Sequence, residues 1–169
     1  MTVEEAMKTA IEYEIRVREV YVEALEGATD PVAKKVYKLM ADEEDDHVKY
    51  LEHKLEQLKK SGELSADDLE TAVPAPGQLE KEISKLVEKV GQEPRTDELA
   101  VLRKAYDVEK ETSAFYAGLV ETLPDDGKAF FQRFLEIEAG HIALVQAEID
   151  ALEGNGMWFD LYEFDVEAG

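Results

Sequence analysis

Apolar side chains recur every three to four residues along four long segments of the chain, the spacing of one face of an α-helix. The first three segments cover about residues 2–25, 31–60 and 96–123. The fourth begins at the break 124–127 and reaches about residue 152. Polar residues fill the positions between the apolar ones. The pattern therefore predicts four long amphipathic helices.

The breaks between these segments predict how the helices are connected. Gly27 and Asp30-Pro31 separate the first two segments, and 124–127 separates the last two. Such short turns indicate two antiparallel hairpins. Residues 61–95 form one long connection between the hairpins, within which the amphipathic stretch 79–90 predicts an extra helix. An all-α, antiparallel four-helix bundle with one long crossover has the ferritin-like topology.

The length of 169 residues suits one domain with a sizeable hydrophobic core. We expect residues 1–153 to form the bundle and residues 154–169 to form a C-terminal tail. The tail mixes aromatic and acidic residues without a helical period. Trp158, Phe159 and Phe164 are much apolar surface for a short segment. We therefore expect the tail to be ordered by contact with its own bundle or with a second chain.

Six ionisable residues fall in register with the apolar stripes. They are Glu14, Glu44, His47, Glu109, Glu138 and His141. Two Glu-x-x-His sequences supply four of them, and each is preceded by a glutamate 29 or 30 residues earlier. Residues i and i+3 share a helical face, and each hairpin brings its two glutamates to nearly the same height. The sequence therefore predicts four carboxylates and two imidazoles that converge inside the bundle.

A dinuclear metal site accounts for this set of residues. Four carboxylates carry a charge of −4, which two divalent ions would neutralise, and mixed carboxylate and imidazole ligands suit iron, manganese or zinc. The alternative is that the histidines belong to the core and the glutamates to solvated edges. That alternative would dehydrate four carboxylates without compensation. His53, six positions after His47, faces away and is expected at the surface.

Composition narrows the functional classes further. The net charge of −21 argues against nucleic acid and anionic membrane as partners. No apolar run approaches the roughly 18 residues that span a bilayer. The acidic start of the chain lacks the features of a signal peptide, so we expect a cytoplasmic location. The absence of cysteine excludes disulfides, iron–sulfur clusters and thiolate zinc sites.

Four short segments and two tyrosines carry a resemblance to a known family. They are residues 10–14 with Tyr21, residues 41–47, residues 105–109 with Tyr116, and residues 138–141. The first pair of segments resembles the first half of the rubrerythrin family, and the second pair resembles its second half. The resemblance covers about residues 1–152.

This resemblance implies a ferritin-like bundle with a non-haem di-iron centre that reacts with peroxide or oxygen. By the match, the four glutamates are carboxylate ligands, with Glu44 and Glu138 as bridges, and the two histidines are nitrogen ligands. The implied cofactor is two iron ions, with manganese or zinc as substitutes. Tyr21 and Tyr116 lie seven residues after a ligand. They either hydrogen-bond to ligand carboxylates or are ordinary core tyrosines.

The chain departs from the family pattern at two points. Rubrerythrin proper carries a rubredoxin-like module with four cysteines, which this chain lacks. Rubrerythrin proper also carries a second glutamate three residues after the ligand on the third helix, where this chain has Thr112. The resemblance therefore implies the core site without implying efficient peroxidase cycling. Gly140, inside the second Glu-x-x-His, either admits a close neighbour or has no special role.

The sequence thus favours a di-iron protein that oxidises ferrous iron or reduces peroxide or oxygen, in oxidative stress or iron handling. Its expected partners are a small oxidant, an external electron donor such as rubredoxin and a second copy in a homodimer, with no nucleic acid or membrane. One alternative is a metal-binding storage or sensing protein without redox turnover. Another is a bundle whose metals are structural and whose tail binds a partner.

Overall fold

Five α-helices make up most of the computed structural model, which describes residues 1–83 and 96–160. The helices are α1 (Val3–Gly27), α2 (Pro31–Ser61), α3 (Pro76–Ile83), α4 (Thr96–Thr122) and α5 (Asp125–Asn155). The described residues contain no strand. The bounds of the four long helices lie within a few residues of those predicted from the hydrophobic pattern.

Local sequence explains where the helices begin and end. Thr2 and Glu5 form a capping box at the start of α1. The Asp30 side chain accepts hydrogen bonds from the first turn of α2, whose first residue is proline. Gly62 and Gly156 follow α2 and α5 with φ of 73° and 68°, a left-handed conformation that favours glycine.

The four long helices form two hairpins that pack side by side. Helix α1 packs along α2, and α4 packs along α5, while α1 and α4 join the two hairpins. Helix α3, in the crossover, packs on α5. The fold is all-α and ferritin-like, which confirms the predicted fold class. No helix in the described ranges is both long enough and apolar enough to cross a membrane.

The apolar core consists of two clusters on either side of the level of Glu14. One cluster contains the first turns of α1, and it is rich in aromatic rings from α4 and α5, including Tyr116, Phe131 and Phe134. The other contains smaller side chains of all four long helices together with the start of the tail. The carboxylates are therefore enclosed from both ends of the bundle.

The crossover and the tail both lie against the bundle where the structure describes them. Tyr50 on α2 donates a hydrogen bond to the carbonyl of Asp67 at 2.8 Å, and Leu69 is buried. Of the extra helix predicted at 79–90, the structure shows Pro76–Ile83, and residues 84–90 lie outside the described ranges.

Two tail aromatics, Trp158 and Phe159, are buried in the core. The ring of Trp158 meets that of Tyr37 edge-on, with centroids 5.4 Å apart. The start of the tail therefore packs on its own bundle. Phe164, for which contact was also expected, lies outside the described residues.

Candidate metal centre

The six residues singled out in the sequence meet in the middle of the bundle. Helix α1 contributes Glu14, α2 contributes Glu44 and His47, α4 contributes Glu109, and α5 contributes Glu138 and His141. The five apart from His47 have no exposed surface, and His47 is 1% exposed. Buried glutamates are rare without a partner, so this cluster requires a chemical explanation.

The two histidines present the same ring nitrogen to the carboxylates. Nδ1 of His47 lies 3.2 Å from Oε2 of Glu44 and 3.6 Å from Oε2 of Glu14. Nδ1 of His141 lies 2.8 Å from Oε1 of Glu44 and 3.7 Å from Oε1 of Glu109. The rings are parallel, with centroids 5.5 Å apart and 4° between their planes. The donor atoms therefore converge on the space between the hairpins.

Among these six residues there are two overlapping groups of possible ligands, and the atoms of each lie within 4.8 Å of one another. A third group joins both histidines to Glu43. Of the two overlapping groups, Glu14 and His47 occur only in the first, and Glu109 and His141 only in the second. Glu44 and Glu138 occur in both. The arrangement thus offers two adjacent positions for a cation, with two carboxylates shared between them.

Most of these converging atoms have no hydrogen-bond partner among the described residues. Although Nδ1 of His141 approaches Oε1 of Glu44 to 2.8 Å, no well-formed hydrogen bond is made by a set of buried atoms in the cluster. They are both carboxylate oxygens of Glu44 and Glu138, one oxygen each of Glu14 and Glu109, and Nδ1 of both histidines. Leaving so many polar atoms unpaired, at about 1–3 kcal/mol each, would cost on the order of 10 kcal/mol or more in total. Oxygen and imidazole donors of this kind suit iron, manganese or zinc, so the residues fit a pair of bound metal ions.

The electrostatics of the cluster favour the protonated forms of several of its groups. Burial and the neighbouring carboxylate of Glu14 raise the pKa of Glu44 to about 8. Burial and Glu109 likewise raise the pKa of Glu138 well above its usual range. Burial alone would lower the pKa of His47, but Glu14 and Glu44 outweigh it and raise that pKa to about 10. Cations would take the place of these protons.

Tyr21 and Tyr116 each donate a hydrogen bond to a glutamate on the opposite hairpin. The hydroxyl of Tyr21 on α1 donates to Oε1 of Glu109 on α4 at 2.6 Å. The hydroxyl of Tyr116 on α4 donates to Oε1 of Glu14 on α1. Burial and the nearby carboxylates raise the pKa of both phenols, so they remain donors. Of the two interpretations offered by the sequence, contact with the carboxylates is the observed one.

Glu43 joins the cluster although the sequence analysis gave it no role. Its side chain is buried, and Oε2 lies 3.3 Å from Nε2 of His141 and 3.8 Å from Nε2 of His47. The hydroxyl of Thr71 and the backbone N–H of Ala72 both donate to its carboxylate. The available signal was its position four residues before His47, which places the two on one helical face.

Three further positions resolve questions raised by the sequence. Gly140 admits a close neighbour, because a Cβ there would lie 3.2 Å from the carbonyl oxygen of Pro74 in the crossover. Thr112 is buried, and its hydroxyl donates to the carbonyl of Val108 on its own helix. His53 is exposed, as expected.

Comparison with known proteins identifies the family. The model of the rubrerythrin family matches residues 5–149, most of the chain. Searches of curated proteins and of solved structures found no significant match. The family match covers all or most of each of the four long helices and both Glu-x-x-His sequences. The chain therefore belongs to the rubrerythrin family.

Proposed function

We propose that this protein is a non-haem di-iron protein that oxidises ferrous iron or reduces peroxide or oxygen. The observation that carries the proposal is the buried cluster of four glutamates and two histidines whose inward atoms lack hydrogen-bond partners among the described residues. A purely structural core would not place six such groups together. The family match supports metal binding of this kind.

The six residues have distinct roles in this proposal. Glu14 and His47 would hold one ion, and Glu109 and His141 the other. Glu44 and Glu138 would bridge the two, which is supported by their membership in both ligand groups. Two divalent ions would balance the four carboxylates, and iron is the expected metal, with manganese or zinc as substitutes.

When bound, a pair of ferrous ions supplies two electrons and a site for a small oxidant. The chain itself contributes orientation and exclusion of water. Tyr21 and Tyr116 hold Glu109 and Glu14 in place by hydrogen bonds from the opposite hairpin. The aromatic cluster that includes Phe131 and Phe134 closes one end of the site. The unpaired oxygens of Glu44 and Glu138 leave these carboxylates able to change their contacts as charge changes.

Continued reduction of an oxidant requires electrons from another molecule. The chain has no cysteine and so cannot hold an iron–sulfur centre of the usual kind. We propose an external donor such as rubredoxin. We also propose a homodimer in a cytoplasmic setting, with residues 1–153 as the bundle and 154–169 as the tail. Light scattering of the full chain and of a chain truncated after Gly154 tests the homodimer and any role of the tail in it.

Thr112 favours one alternative function. Its hydroxyl already bonds the carbonyl of Val108 and offers no carboxylate to the site. A protein that binds metal for storage or sensing, without redox turnover, would need no fifth carboxylate ligand there. If the missing carboxylate instead limits a redox reaction, Thr112→Glu should speed oxidation by peroxide.

One experiment separates these functions. The protein is loaded anaerobically with two equivalents of ferrous iron and mixed rapidly with peroxide or with oxygen, while ferric absorbance is followed. We expect one stoichiometric oxidation that then stops. Renewed turnover on adding rubredoxin and its reductase indicates a peroxidase, and turnover sustained by ferrous iron alone indicates a ferroxidase.

The remaining outcomes bear on the alternatives. Bound iron that neither oxidant oxidises would support storage or sensing. Sustained catalysis without a donor or added iron would contradict the proposed chemistry. His53→Ala, at an exposed histidine outside the cluster, is the matched control and should behave as wild type.

A further inference from the structure

A single carboxylate lies at the outer edge of the paired imidazoles. Both histidines turn Nδ1 toward the glutamates of the cluster, so Nε2 of each ring points the other way. Oε2 of Glu43 lies 3.3 Å from Nε2 of His141 and 3.8 Å from Nε2 of His47. Because the rings are parallel and stacked, one acceptor can face both outer nitrogens.

The crossover holds this carboxylate in place. Thr71 donates to Oε2 of Glu43 at 2.9 Å, and the backbone N–H of Ala72 donates to Oε1. The same hydroxyl of Thr71 accepts the N–H of Val73 at 3.1 Å. Gly140 leaves room for the carbonyl of Pro74 against α5. The carboxylate of Glu43 is therefore held by the crossover as well as by its contact with His141.

An imidazole that binds a metal through one nitrogen carries its proton on the other. That proton needs an acceptor in a buried site, and a carboxylate acceptor also fixes the plane of the ring and raises its basicity. At 3.3 Å, Glu43 can accept from His141 directly. The 3.8 Å separation from His47 is too long for a hydrogen bond. The influence of Glu43 is thus expected to be stronger on His141.

Resting on the dinuclear centre proposed above, we propose that Glu43 is a positioning residue that accepts the outer N–H of His141. By doing so it keeps Nδ1 of that ring unprotonated and aimed at the metal ions. The crossover thereby becomes part of the support of the metal centre. In the second hairpin the equivalent position, directly before Glu138, is Ile137, so of these two positions only Glu43 offers a carboxylate.

Histidine tautomers in the zinc-loaded protein test this directly. Zinc is diamagnetic, and the chain has only three histidines, so long-range ¹H–¹⁵N spectra resolve each ring. In wild type we expect His47 and His141 to carry the proton on Nε2, with exposed His53 as the internal reference. Glu43→Ala should shift the Nε2–H signal of His141 most and leave His53 unchanged. An unchanged His141 signal would overturn the proposal.

Zinc affinity provides the second readout. Removing an outer partner of a metal-bound histidine typically weakens metal binding by about 10- to 100-fold. We expect a loss of that size at one of two sites in Glu43→Ala, and a smaller loss in Glu43→Gln, which keeps an acceptor oxygen. Thr71→Val keeps the carboxylate and should lose less than Glu43→Ala. Glu52→Gln, exposed on the same helix, is the control.

The outcomes distinguish this inference from the function on which it rests. Wild type that binds no zinc would overturn both. Wild type that binds two zinc ions, with unchanged affinity in Glu43→Ala, would overturn only the role of Glu43. A loss in Thr71→Val equal to that in Glu43→Ala would assign the effect to the crossover instead. Binding of a third ion that Glu43→Ala abolishes would make Glu43 a ligand and would also overturn the proposal.

Discussion

The two helical hairpins supply nearly identical inner faces to the centre. The hairpin α1–α2 offers a glutamate, a tyrosine and a Glu-x-x-His, and the hairpin α4–α5 offers the same set at matching positions. Each tyrosine donates to the glutamate of the other hairpin. The similarity extends to orientation, since both histidines present Nδ1. The part of the molecule that faces the buried cluster thus occurs twice, once in each hairpin.

The outer surroundings of the two hairpins differ. Glu43 precedes Glu44 on α2, whereas Ile137 precedes Glu138 on α5. The end of α5 also carries a buried carboxyl, Glu148, which accepts the backbone N–H of Phe159 at 2.8 Å. The comparison shows that the converging residues follow a repeated sequence pattern. The other buried carboxyls, Glu43 and Glu148, instead contact the crossover and the tail, whose sequences carry no such repeat.

Loss of a shared carboxylate is expected to have the largest effect. Glu44→Ala and Glu138→Ala should each lose both metal ions, because each carboxylate belongs to both ligand groups. Glu14→Ala and His141→Ala should weaken mainly one ion. Metal analysis after gel filtration measures this. Equal metal content in all four variants and wild type would contradict the assignment. Unequal losses for Glu44→Ala and Glu138→Ala would show that the two hairpins do not contribute equally.

Bound metal should stabilise the folded protein, because residues of both hairpins would hold it. A ligand present at about 1,000 times its Kd stabilises by about 4 kcal/mol. We expect the metal-loaded protein to melt well above the chelated protein at pH 7, because the empty centre holds opposed carboxylates. Differential scanning calorimetry checks this, and coincident melting curves would refute it.

The crossed tyrosines should contribute equally to stability. Tyr21→Phe and Tyr116→Phe each remove a buried donor to a carboxylate, at a cost of about 1–3 kcal/mol. Urea unfolding of the metal-free variants measures the two losses. Tyr106→Phe, at a partly exposed tyrosine on α4, is the control. A large loss in only one variant would mean that the hairpins are not equivalent.

Glu148→Gln is the substitution expected to change stability least near pH 5. Its effect on stability should grow as the pH rises. Burial raises the pKa of Glu148 well above its usual range, with Asp160 and Asp30 adding to the rise and the N–H of Phe159 opposing it. The folded state therefore keeps this proton after the unfolded chain has lost it, near pH 4.3. Stability falls as pH rises toward the folded pKa.

Glu148→Gln removes this dependence, so the variant should gain on wild type as pH rises from 5 to 8. Melting temperatures of both proteins, metal-free and in matched buffers, measure the difference. Asp150→Asn, an exposed acid on the same helix, is the control. A difference that stays constant with pH would contradict the expected ionisation of Glu148.

The helices and their hairpin pairing followed from the sequence because they rest on local rules. A 3.6-residue period and a capping aspartate before proline each act over a few residues. The meeting of the six residues was also predictable, because the glutamates lie at similar distances from each turn. These inferences needed only helix geometry.

The role of Glu43 could not be read in the same way. Its partners Thr71 and Ala72 lie 28 and 29 residues away in a segment without periodicity. Nothing local places that segment against α2. Likewise the neighbour of Gly140 comes from the crossover, and the burial of Trp158 depends on a contact with Tyr37 on α2. Irregular segments place such contacts by tertiary packing, which a single sequence does not encode in a repeating pattern.

The hydrogen bonds of Tyr21 and Tyr116 join the two hairpins. The centre can therefore report whether two separated hairpins have assembled again. A cut between residues 83 and 96 would give two fragments, each with one of the tyrosines Tyr21 and Tyr116 and three of the six converging residues. The first fragment would keep residues 71–83, which in the intact chain lie against α5 of the second. Metal uptake by the mixed fragments would therefore measure how well two separate hairpins recognise each other. The divided protein would then report the association of its two fragments through the metal that they bind together.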